Sequence, residues 1–497
     1  MASKKIQRLA IANRGEVAVR IIRACEELGI ESVLLHSEAD MGTRAYRLAS
    51  KKICIGPAAT ADSYLNIAAN IQGALAGNAD AVHPGFGFLS ENAEFAEACE
   101  KAGLIFVGPP VKATRILGDK VRCKELAKKL ELPLVPGYDG ENQTLDFLVK
   151  EAEKIGFPVI VKAAAGGGGR GMKVLRSSAE AKELIESAQR EAVSAFGSPK
   201  VFLEKYLDRA KHIEFQIFGD SSGRVIHLMD RECSVQRRHQ KIIEEATSPS
   251  LSSELRRKMG EAAILIASQA GYKGAGTVEF LLQDEKFFLL EVNTRLQVEH
   301  PVTEMVMGVD LVKAQILTAQ GDPVFSEQQT IAARGHAVEC RIYAENPYLG
   351  GIPSTGILGK VIWPEGPGRR FEYGFEEGDE ITPFYDPMIA KVIVWDENRI
   401  RCIQKMKKVL RDSVIFGVET NIPYLLEILS HPEFVQGKMT TRFIENHFSE
   451  ALELPALSEA EKNFAEQALK TFRPASTAIG NSGELVNSPW QQSWRGV

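Results

Sequence analysis

The sequence predicts an α/β protein of three domains followed by a tail. Short apolar strands alternate with amphipathic helices over residues 1–115, which indicates a doubly wound α/β domain. Residues 116–330 contain a glycine run between two predicted strands, which is typical of neither a P-loop nor a Rossmann domain. Residues 331–446 are rich in strands with one late helix, which indicates an α+β domain. Residues 447–497 are predicted to form one helix, opened by Ser458 and Glu461, and then a polar tail.

The composition is that of a globular protein. Of 497 residues, 44% are hydrophobic and 25% charged, and the net charge of −5 gives no reason to expect nucleic-acid binding. No apolar run approaches the ~18 residues of a membrane span, and the N-terminus lacks a signal-peptide core. The seven cysteines are scattered, which is typical of reduced thiols. We therefore expect a cytoplasmic protein without nucleic-acid or membrane partners, in which Cys233 is a buried filler rather than a nucleophile.

In the first domain, the strand Leu9–Ala12 leads through a short turn into a helix over Glu16–Leu28, which has apolar residues at helical spacing. The turn lacks the G-x-G-x-x-G pattern, which argues against a dinucleotide site. The loop Gly85–Asn92 either holds a ligand or only turns the chain, and its residues leave both interpretations open. Further strands are predicted at Ser32–His36, Ile53–Gly56, Ala81–Pro84 and Ile105–Gly108.

The glycine run Gly166–Gly171 joins two predicted strands, Phe157–Ala163 and Met172–Arg176. A glycine hairpin can fold over phosphates and offer its N–H groups to them, and Lys162 just before it can reach the same phosphates. The alternative is a flexible turn. Four consecutive glycines in an ordered domain carry a large entropic cost, so we predict a phosphate-binding lid that closes over its ligand.

A predicted hairpin over residues 276–292 carries one carboxylate in each strand, Glu279 and Glu291. If its turn centres on Glu285, these carboxylates lie directly opposite each other, with Cβ atoms about 5 Å apart. Two like charges that close destabilise the pair unless a cation lies between them. Mg²⁺ suits this position, because it prefers a few carboxylates together with substrate phosphates, and Asn293 adds a neutral oxygen. The alternative is a surface hairpin with solvated carboxylates.

Other polar segments are more ambiguous. The alternate polar residues of His212–Phe218 share one face, which is either part of a site or a wetted edge. The run Glu232–Lys241 suits an anion site of modest specificity, although such runs usually form a solvated face. On the predicted strand His336–Ile342, Glu339 and Arg341 are expected to point outward.

Together, these segments resemble the biotin carboxylase component of biotin-dependent carboxylases, which is a member of the ATP-grasp enzymes. The resemblance spans residues 6–445 and implies an N-terminal α/β domain, a central ATP-grasp domain with a glycine-rich lid and a C-terminal α+β domain. The matching segments are Ile11–Glu16, His83–Asn92, Gly118–Lys120, Lys162 with Gly166–Gly171, Arg237–Lys241, Glu291–Glu304 and Arg334–Arg341.

The resemblance implies that ATP with Mg²⁺ or Mn²⁺ reacts with bicarbonate to give carboxyphosphate, which then carboxylates N1′ of biotin. The chain has no biotin-attachment sequence, so biotin is expected on a separate biotin carboxyl carrier protein, with carboxyltransferase subunits as further partners and a homodimer as the assembly. The implied role is the first half-reaction of acetyl-CoA carboxylase in fatty acid synthesis. The alternative is the same half-reaction in a pyruvate carboxylase or another acyl-CoA carboxylase.

The resemblance also implies roles for individual residues. Glu299 is the general base, Arg341 stabilises the biotin enolate, and Arg295 and Lys241 are further catalytic residues. The implied ATP contacts are Lys120, Lys162, Gly166, Gly167, Gly168, Gly169, Glu204, Lys205, Leu207, His212, Gln236, His239, Glu279 and Glu291. The implied metal ligands are Glu279, Glu291 and Asn293, and the implied bicarbonate and biotin contacts are Lys241, Arg295, Gln297, Val298 and Arg341.

The chain departs from the family pattern at two positions: Phe86 replaces the usual Tyr, and Pro387 replaces the Ser that usually follows Asp386. Two other functions fit the sequence less well. A different ATP-grasp ligase, such as a carbamoyl-phosphate synthetase half, is disfavoured because no second ATP-grasp copy is present. An inactive nucleotide-binding scaffold is disfavoured because the predicted catalytic set is complete.

Overall fold

The computed structural model describes residues 5–163, 172–238, 240–325, 328 and 331–448, and in the tail residues 459, 460, 462, 463, 466 and 467. The chain divides into one compact unit over Met1–Glu450 and a second over Ala451–Val497. The described residues of the second unit are helical, whereas the predicted capping pair, Ser458 and Glu461, lies outside the described residues. Among the residues that the structure describes, no helix is long and apolar enough to span a membrane.

The first sheet is parallel and has five strands in the order β3-β2-β1-β4-β5, as expected for a doubly wound domain. Its order reverses between β1 and β4, and ligands of such sheets bind beyond the strand ends at this point. Here Asn13 Nδ2 donates to the carbonyl oxygens of Pro84 and Phe86, each at 2.7 Å, so the loops after both strands are held together. The elements are β1 (Arg8–Ile11), α1 (Gly15–Glu27), β2 (Glu31–Ser37), α2 (Arg44–Leu48), β3 (Lys51–Gly56), α3 (Ile67–Ala76), β4 (Ala81–His83), α4 (Ala93–Lys101), β5 (Ile105–Phe106) and α5 (Val111–Leu117).

A second, antiparallel sheet has the order β6-β9-β7-β8 and packs against two helices, α7 and α8. The predicted strands on either side of the glycine run are present as β7 and β8, in which Val161 pairs with Lys173. Gly166, Gly167, Gly168 and Gly169 themselves lie outside the described residues. The elements are α6 (Lys120–Lys129), β6 (Gly137–Tyr138), α7 (Leu145–Ile155), β7 (Val159–Ala163), β8 (Lys173–Leu175), α8 (Ser178–Phe196) and β9 (Val201–Lys205).

The largest sheet is antiparallel and has eight strands in the order β14-β13-β10-β11-β12-β15-β22-β20. It takes strands from both sides of residue 330, where the sequence predicted a domain boundary. Its elements and neighbouring helices are β10 (Lys211–Gly219), β11 (Val225–Arg237), β12 (Gln240–Ala246), α9 (Ser253–Gln269), β13 (Gly274–Gln283), β14 (Lys286–Asn293), α10 (His300–Met307), α11 (Leu311–Gln320), β15 (His336–Tyr343), β20 (Arg369–Tyr373) and β22 (Met388–Asp396). The remaining elements are β16 (Glu345–Asn346), β17 (Ile352–Pro353), β18 (Gly356–Ile357), β19 (Lys360–Ile362), β21 (Glu380–Ile381), α12 (Arg399–Asp412), β23 (Val414–Phe416), α13 (Ile422–Ser430), α14 (Pro432–Val435) and α15 (Phe443–His447).

One face of this sheet is polar yet buried, and the prediction for β15 was wrong. Glu339 and Arg341 point inward and are 0% and 9% exposed, because α1 and α10 cover this face. The alternating residues of β10 are buried in the same way, with Glu214 and Gln216 fully inaccessible. Period-two alternation shows only that residues share a face, and it is the same whether that face meets water or a polar site.

Candidate active site

The hairpin of β13 and β14 places Glu279 directly opposite Glu291, as the sequence predicted. Its turn, however, is only two residues long: Asp284 and Glu285 have φ values of +50° and +62°, as required for the tight turn of a hairpin. A shift in register next to Glu279 leaves Leu290 as one extra residue. This β-bulge restores the opposition of the two carboxylates that the shorter turn would have removed.

The environments of the two carboxylates differ. Glu279 is buried, and its Oε1 accepts hydrogen bonds from Lys241 Nζ at 2.8 Å and Asn293 Nδ2 at 2.9 Å. Burial alone would raise its pKa, but Lys241 and His212 lower it well below the ordinary value, so the group is ionised. Burial and repulsion from Glu279 raise the pKa of Glu291. An added divalent cation would relieve this repulsion, and the oxygens of Glu279, Glu291 and Asn293 fit Mg²⁺ as ligands.

Lys241 connects this pair to the predicted base. Its Nζ donates to Glu279, to Glu214 at 2.5 Å and to Glu299 at 2.7 Å. Glu214 is held from its other side by Arg231, a fully buried guanidinium that the sequence analysis did not single out. The sequence signal that could have identified Glu214 was the run of alternating polar residues on β10. If that face is buried, its carboxylate needs a cation nearby.

Glu299 comes directly before α10 and is fully buried. Burial would raise its pKa, but Lys241, Arg341 and Arg231 lower it well below the ordinary value. Arg341 Nη2 donates to Glu299 Oε2 at 3.0 Å, and Arg341 Nε donates to Glu244 Oε1 at 2.7 Å. The carboxylate of Glu299 is therefore ionised and held between two cations, one on each oxygen.

A cleft of about 490 Å³ extends from Glu279 and Glu291 to the second sheet. On its far side, Lys162 and Lys124 both contact Glu204 and hold its pKa at about 2 despite burial. Lys124 was not predicted, although it lies four residues after Lys120 and therefore on the same side of α6. The other predicted residues that line this cleft are Lys120, Lys205, Leu207, His212, Gln236, Lys241, Glu279, Glu291, Asn293, Arg295, Gln297, Val298 and Arg341.

In the structure, some of these side chains form hydrogen bonds with other protein groups. Lys205 Nζ donates to the carbonyl oxygens of Gly156 at 2.8 Å and Phe157 at 2.9 Å. Gln236 Nε2 lies 2.9 Å from His212 Nδ1, which orients the imidazole towards Glu279. His239 lies outside the described residues. Cys233 is buried, and burial strongly raises the pKa of its thiol, which favours the predicted filler over a nucleophile.

A second cavity, of about 670 Å³, meets the cleft at Arg295, Val298 and Arg341. Phe86 and Gly87 line it, so the loop after β4 faces this cavity, which favours the ligand-holding interpretation of the loop. In the same loop, Glu91 accepts a hydrogen bond from Arg295 Nε at 2.9 Å. Arg295, Val298 and Arg341 are thus shared by the cleft and the second cavity.

Comparison with known proteins agrees with this arrangement. Residues 5–114 match the biotin carboxylase N-terminal domain, 119–326 the ATP-binding domain of the carbamoyl-phosphate synthase L chain, and 339–446 the biotin carboxylase C-terminal domain. The chain is 48% identical over 442 residues to the biotin carboxylase of Nostoc sp., covering 89% of this chain and 99% of that protein. This chain belongs to the biotin carboxylase family.

Other relatives within the biotin carboxylase family serve different carboxylases. The alpha subunit of the mitochondrial methylcrotonoyl-CoA carboxylase of Dictyostelium discoideum is 44% identical over 98% of this chain and 70% of its own length. A pyruvate carboxylase subunit of Methanothermobacter thermautotrophicus is 45% identical over 96% of this chain and 98% of its own length. The relatives therefore belong to carboxylases that are named for different carboxyl acceptors.

Two solved biotin carboxylase structures are similar to the fold. The enzyme of Campylobacter jejuni, in a β,γ-ATP complex, has a TM-score of 0.86 at 42% identity, covering 89% of this chain and 99% of that one. The biotin carboxylase domain dimer of the Hydrogenobacter thermophilus 2-oxoglutarate carboxylase, with MgADP, ADP and bicarbonate, has a TM-score of 0.87 at 43% identity, covering 91% and 100%. This chain is accordingly an ATP-grasp ligase of the biotin carboxylase family, with ATP and Mg²⁺ as cofactors and biotin as substrate.

Glu291→Gln tests the metal-site prediction. The change removes one negative charge from a pair whose repulsion a divalent cation would relieve, so ATP turnover should fall about a hundredfold and require more Mg²⁺. Phosphate release measured across a Mg²⁺ titration checks this. Glu285→Gln is the matched control, because Glu285 is an exposed carboxylate in the turn of the same hairpin. Unchanged Mg²⁺ dependence in Glu291→Gln would contradict the proposed ligand role.

Proposed function

We propose that this chain carboxylates carrier-bound biotin at the expense of ATP and bicarbonate, using Glu299 as base and Arg341 as enolate stabiliser. One observation carries the proposal: Lys241 contacts both Glu279, on the metal side, and Glu299, whose other oxygen contacts Arg341. The phosphate chemistry and the biotin chemistry thus use one continuous cluster of charges.

In the first step, an oxygen of bicarbonate forms a bond to the γ-phosphorus of ATP, and the bond from that phosphorus to the ADP oxygen breaks. The proton of bicarbonate passes to Glu299. Lys241, Arg295, Gln297 and the Val298 main chain hold the bicarbonate, while Lys120 and Lys162 hold phosphates. Glu279, Glu291 and Asn293 would hold Mg²⁺, which would neutralise part of the phosphate charge. The products are carboxyphosphate and ADP.

Glu299 is a weak base while Lys241 and Arg341 hold it, because both cations lower its pKa. Bicarbonate bound to Lys241 competes with Glu299 for the ammonium group. The carboxylate then loses part of its stabilisation, and its proton affinity rises when the proton must be removed. The basicity of Glu299 is therefore coupled to the presence of its substrate.

In the second step, N1′ of biotin forms a bond to the carboxyl carbon as phosphate leaves, and the N1′ proton is transferred to that phosphate. The biotin ring lies in the cavity shared by Phe86 and Arg341. Arg341 stabilises the negative charge on the ureido oxygen, a task that suits a guanidinium because it stays protonated. Phe86 contributes an apolar ring where the family usually has a hydroxyl, so it packs against the ring without donating a hydrogen bond.

A second, more specific proposal concerns the final carboxyl acceptor. We propose acetyl-CoA, with this chain, a carrier protein and carboxyltransferase subunits forming an acetyl-CoA carboxylase for fatty acid synthesis. The match over 99% of the Nostoc biotin carboxylase supports a biotin carboxylase subunit but names no acceptor, whereas the relatives named for methylcrotonoyl-CoA and pyruvate support the alternative acceptors. A separate carrier chain, a homodimer, a cytoplasmic location and the boundaries 1–115, 116–330, 331–446 and 447–497 stay predictions. Identifying the co-purifying subunits and assaying them with each acceptor would decide the acceptor.

The proposed half-reaction is tested by measuring phosphate release and carboxybiotin formation with and without bicarbonate and free biotin. The proposal predicts ATP cleavage that requires bicarbonate and that rises when biotin is added, together with carboxybiotin. A different ATP-grasp ligase would cleave ATP without forming carboxybiotin, and an inactive scaffold would bind MgATP without cleaving it. Either of these results would contradict the proposed function.

A further inference from the structure

Lys391 is a buried cation that the sequence analysis did not single out. It lies on β22, opposite Arg341 on β15 and opposite Glu372 on β20, and it is 0% exposed. Its Nζ donates to the Val298 carbonyl oxygen at 2.8 Å and lies 2.9 Å from Glu372 Oε2 and 3.3 Å from Glu16 Oε1. One ammonium group therefore joins α1, β20 and the segment that leads into α10.

The Val298 carbonyl belongs to the peptide bond that precedes Glu299. Because that bond is planar, a hydrogen bond to its oxygen orients the whole peptide unit, including the N–H and Cα of Glu299. The turn is also held by His300 Nδ1, which donates to the Gln297 carbonyl oxygen at 2.8 Å. Lys391 and His300 thus both hold the main chain of the turn immediately before the base.

We infer that Lys391 is a positioning residue for the bicarbonate half-reaction, acting on Glu299 through the Val298 carbonyl. The inference rests on the proposed function. A hydrogen bond from an ammonium group is charge-assisted and stronger than one between neutral groups, which suits the task of holding a turn. Glu16 and Glu372 offset the cost of burying the cation, so the contact with Val298 persists without solvent.

The experiment must distinguish a positioning role of Lys391 from a purely structural role. In a structural role Lys391 only neutralises Glu16 and Glu372, and its loss would reduce every activity in proportion to the loss of folded protein. Positioning instead predicts a selective effect, because the Val298 segment contacts bicarbonate whereas the ATP phosphates depend on Lys120 and Lys162. The Michaelis constants of the two substrates therefore distinguish the alternatives.

The test compares Lys391→Met with the double variant Lys391→Met/Glu16→Gln, which also removes one of the carboxylates left without its cation. The control is Arg20→Met. Arg20 is a buried cation of the same network, with Nη2 3.1 Å from Glu304 and 2.6 Å from Asp310, but it does not contact the Val298–Glu299 peptide. Bicarbonate-dependent phosphate release is measured while the concentration of bicarbonate or of MgATP is varied. Circular dichroism reports folding.

We expect kcat/KM for bicarbonate to fall about 10- to 100-fold in both Lys391 variants, since a displacement of about 1 Å at a reacting group costs that much. KM for MgATP should stay within about twofold, and Arg20→Met should retain bicarbonate kinetics close to those of the parent. Equal losses for both substrates, an equal loss in Arg20→Met, unchanged bicarbonate kinetics, or failure of both Lys391 variants to fold would each overturn the inference. The parent protein is assayed first: if it lacks bicarbonate-dependent ATP cleavage, the proposed function itself fails, and the inference fails with it.

Discussion

Glu299→Gln should reduce the rates of both bicarbonate-dependent ATP cleavage and biotin carboxylation by about a hundredfold or more. In the proposed mechanism Glu299 removes the proton of bicarbonate, so its action precedes both products, and a neutral amide cannot replace it. The substitution is nearly isosteric and leaves oxygen and nitrogen atoms beside Lys241 and Arg341. Phosphate release and carboxybiotin formation, measured on the same preparation, check the result.

Glu285→Gln is again the control, because it removes a carboxylate at an exposed position and should leave both activities unchanged. MgATP binding to Glu299→Gln, followed by the change in protein fluorescence or by calorimetry, should stay near that of the parent. The assignment of the base would be contradicted if Glu299→Gln retained bicarbonate-dependent ATP cleavage while losing only carboxylation.

Arg341→Gln should reduce biotin carboxylation about 10²- to 10³-fold while keeping much of the slow ATP cleavage that occurs without biotin. In the proposed mechanism its guanidinium stabilises charge that develops only in the second step. The structural cost is limited, because Glu244 has a pKa of about 7 through burial and can accept a proton when its cation is lost. Carboxybiotin formed per phosphate released is the decisive ratio.

The matching control is Arg401→Gln, which removes an exposed guanidinium of α12 from its ion pair with Glu397 and should leave this ratio unchanged. Because Arg341 also contacts Glu299, some loss of ATP cleavage is expected in Arg341→Gln. A proportional loss of both activities would refute the division of roles between the two residues. Normal carboxylation would show that Arg341 has no part in the second step.

The hairpin of β13 and β14 shows which features of the site could be predicted from the sequence and which could not. The opposition of Glu279 and Glu291 was predicted from a turn centred on Glu285, whereas the real turn is shorter and a bulge at Leu290 compensates. The pairing was correct because both carboxylates interrupt apolar strands and must face one polar region. The bulge could not be predicted, because an extra residue in one strand leaves no distinct pattern when its neighbours are also apolar.

The buried polar face of the large sheet was the main feature that the sequence analysis misjudged. Arg341, Glu339 and Lys391 alternate with apolar residues, as solvent-facing residues also do, so only their packing under α1 and α10 shows that they are inside. Lys124 was missed for a different reason: its pairing with Glu204 joins a helix to a strand 80 residues later. Such long-range pairs follow from the tertiary fold rather than from local spacing.

The central claim is that bicarbonate, activated at Glu299, attacks ATP to give carboxyphosphate. Its most direct test is to supply bicarbonate labelled with ¹⁸O and to analyse the phosphate released by mass spectrometry. Because the new bond to phosphorus is made by a bicarbonate oxygen, and that oxygen stays with phosphorus when the carboxyl group leaves, each phosphate should contain one labelled atom. Phosphate that acquires its oxygen from water instead would contradict the account.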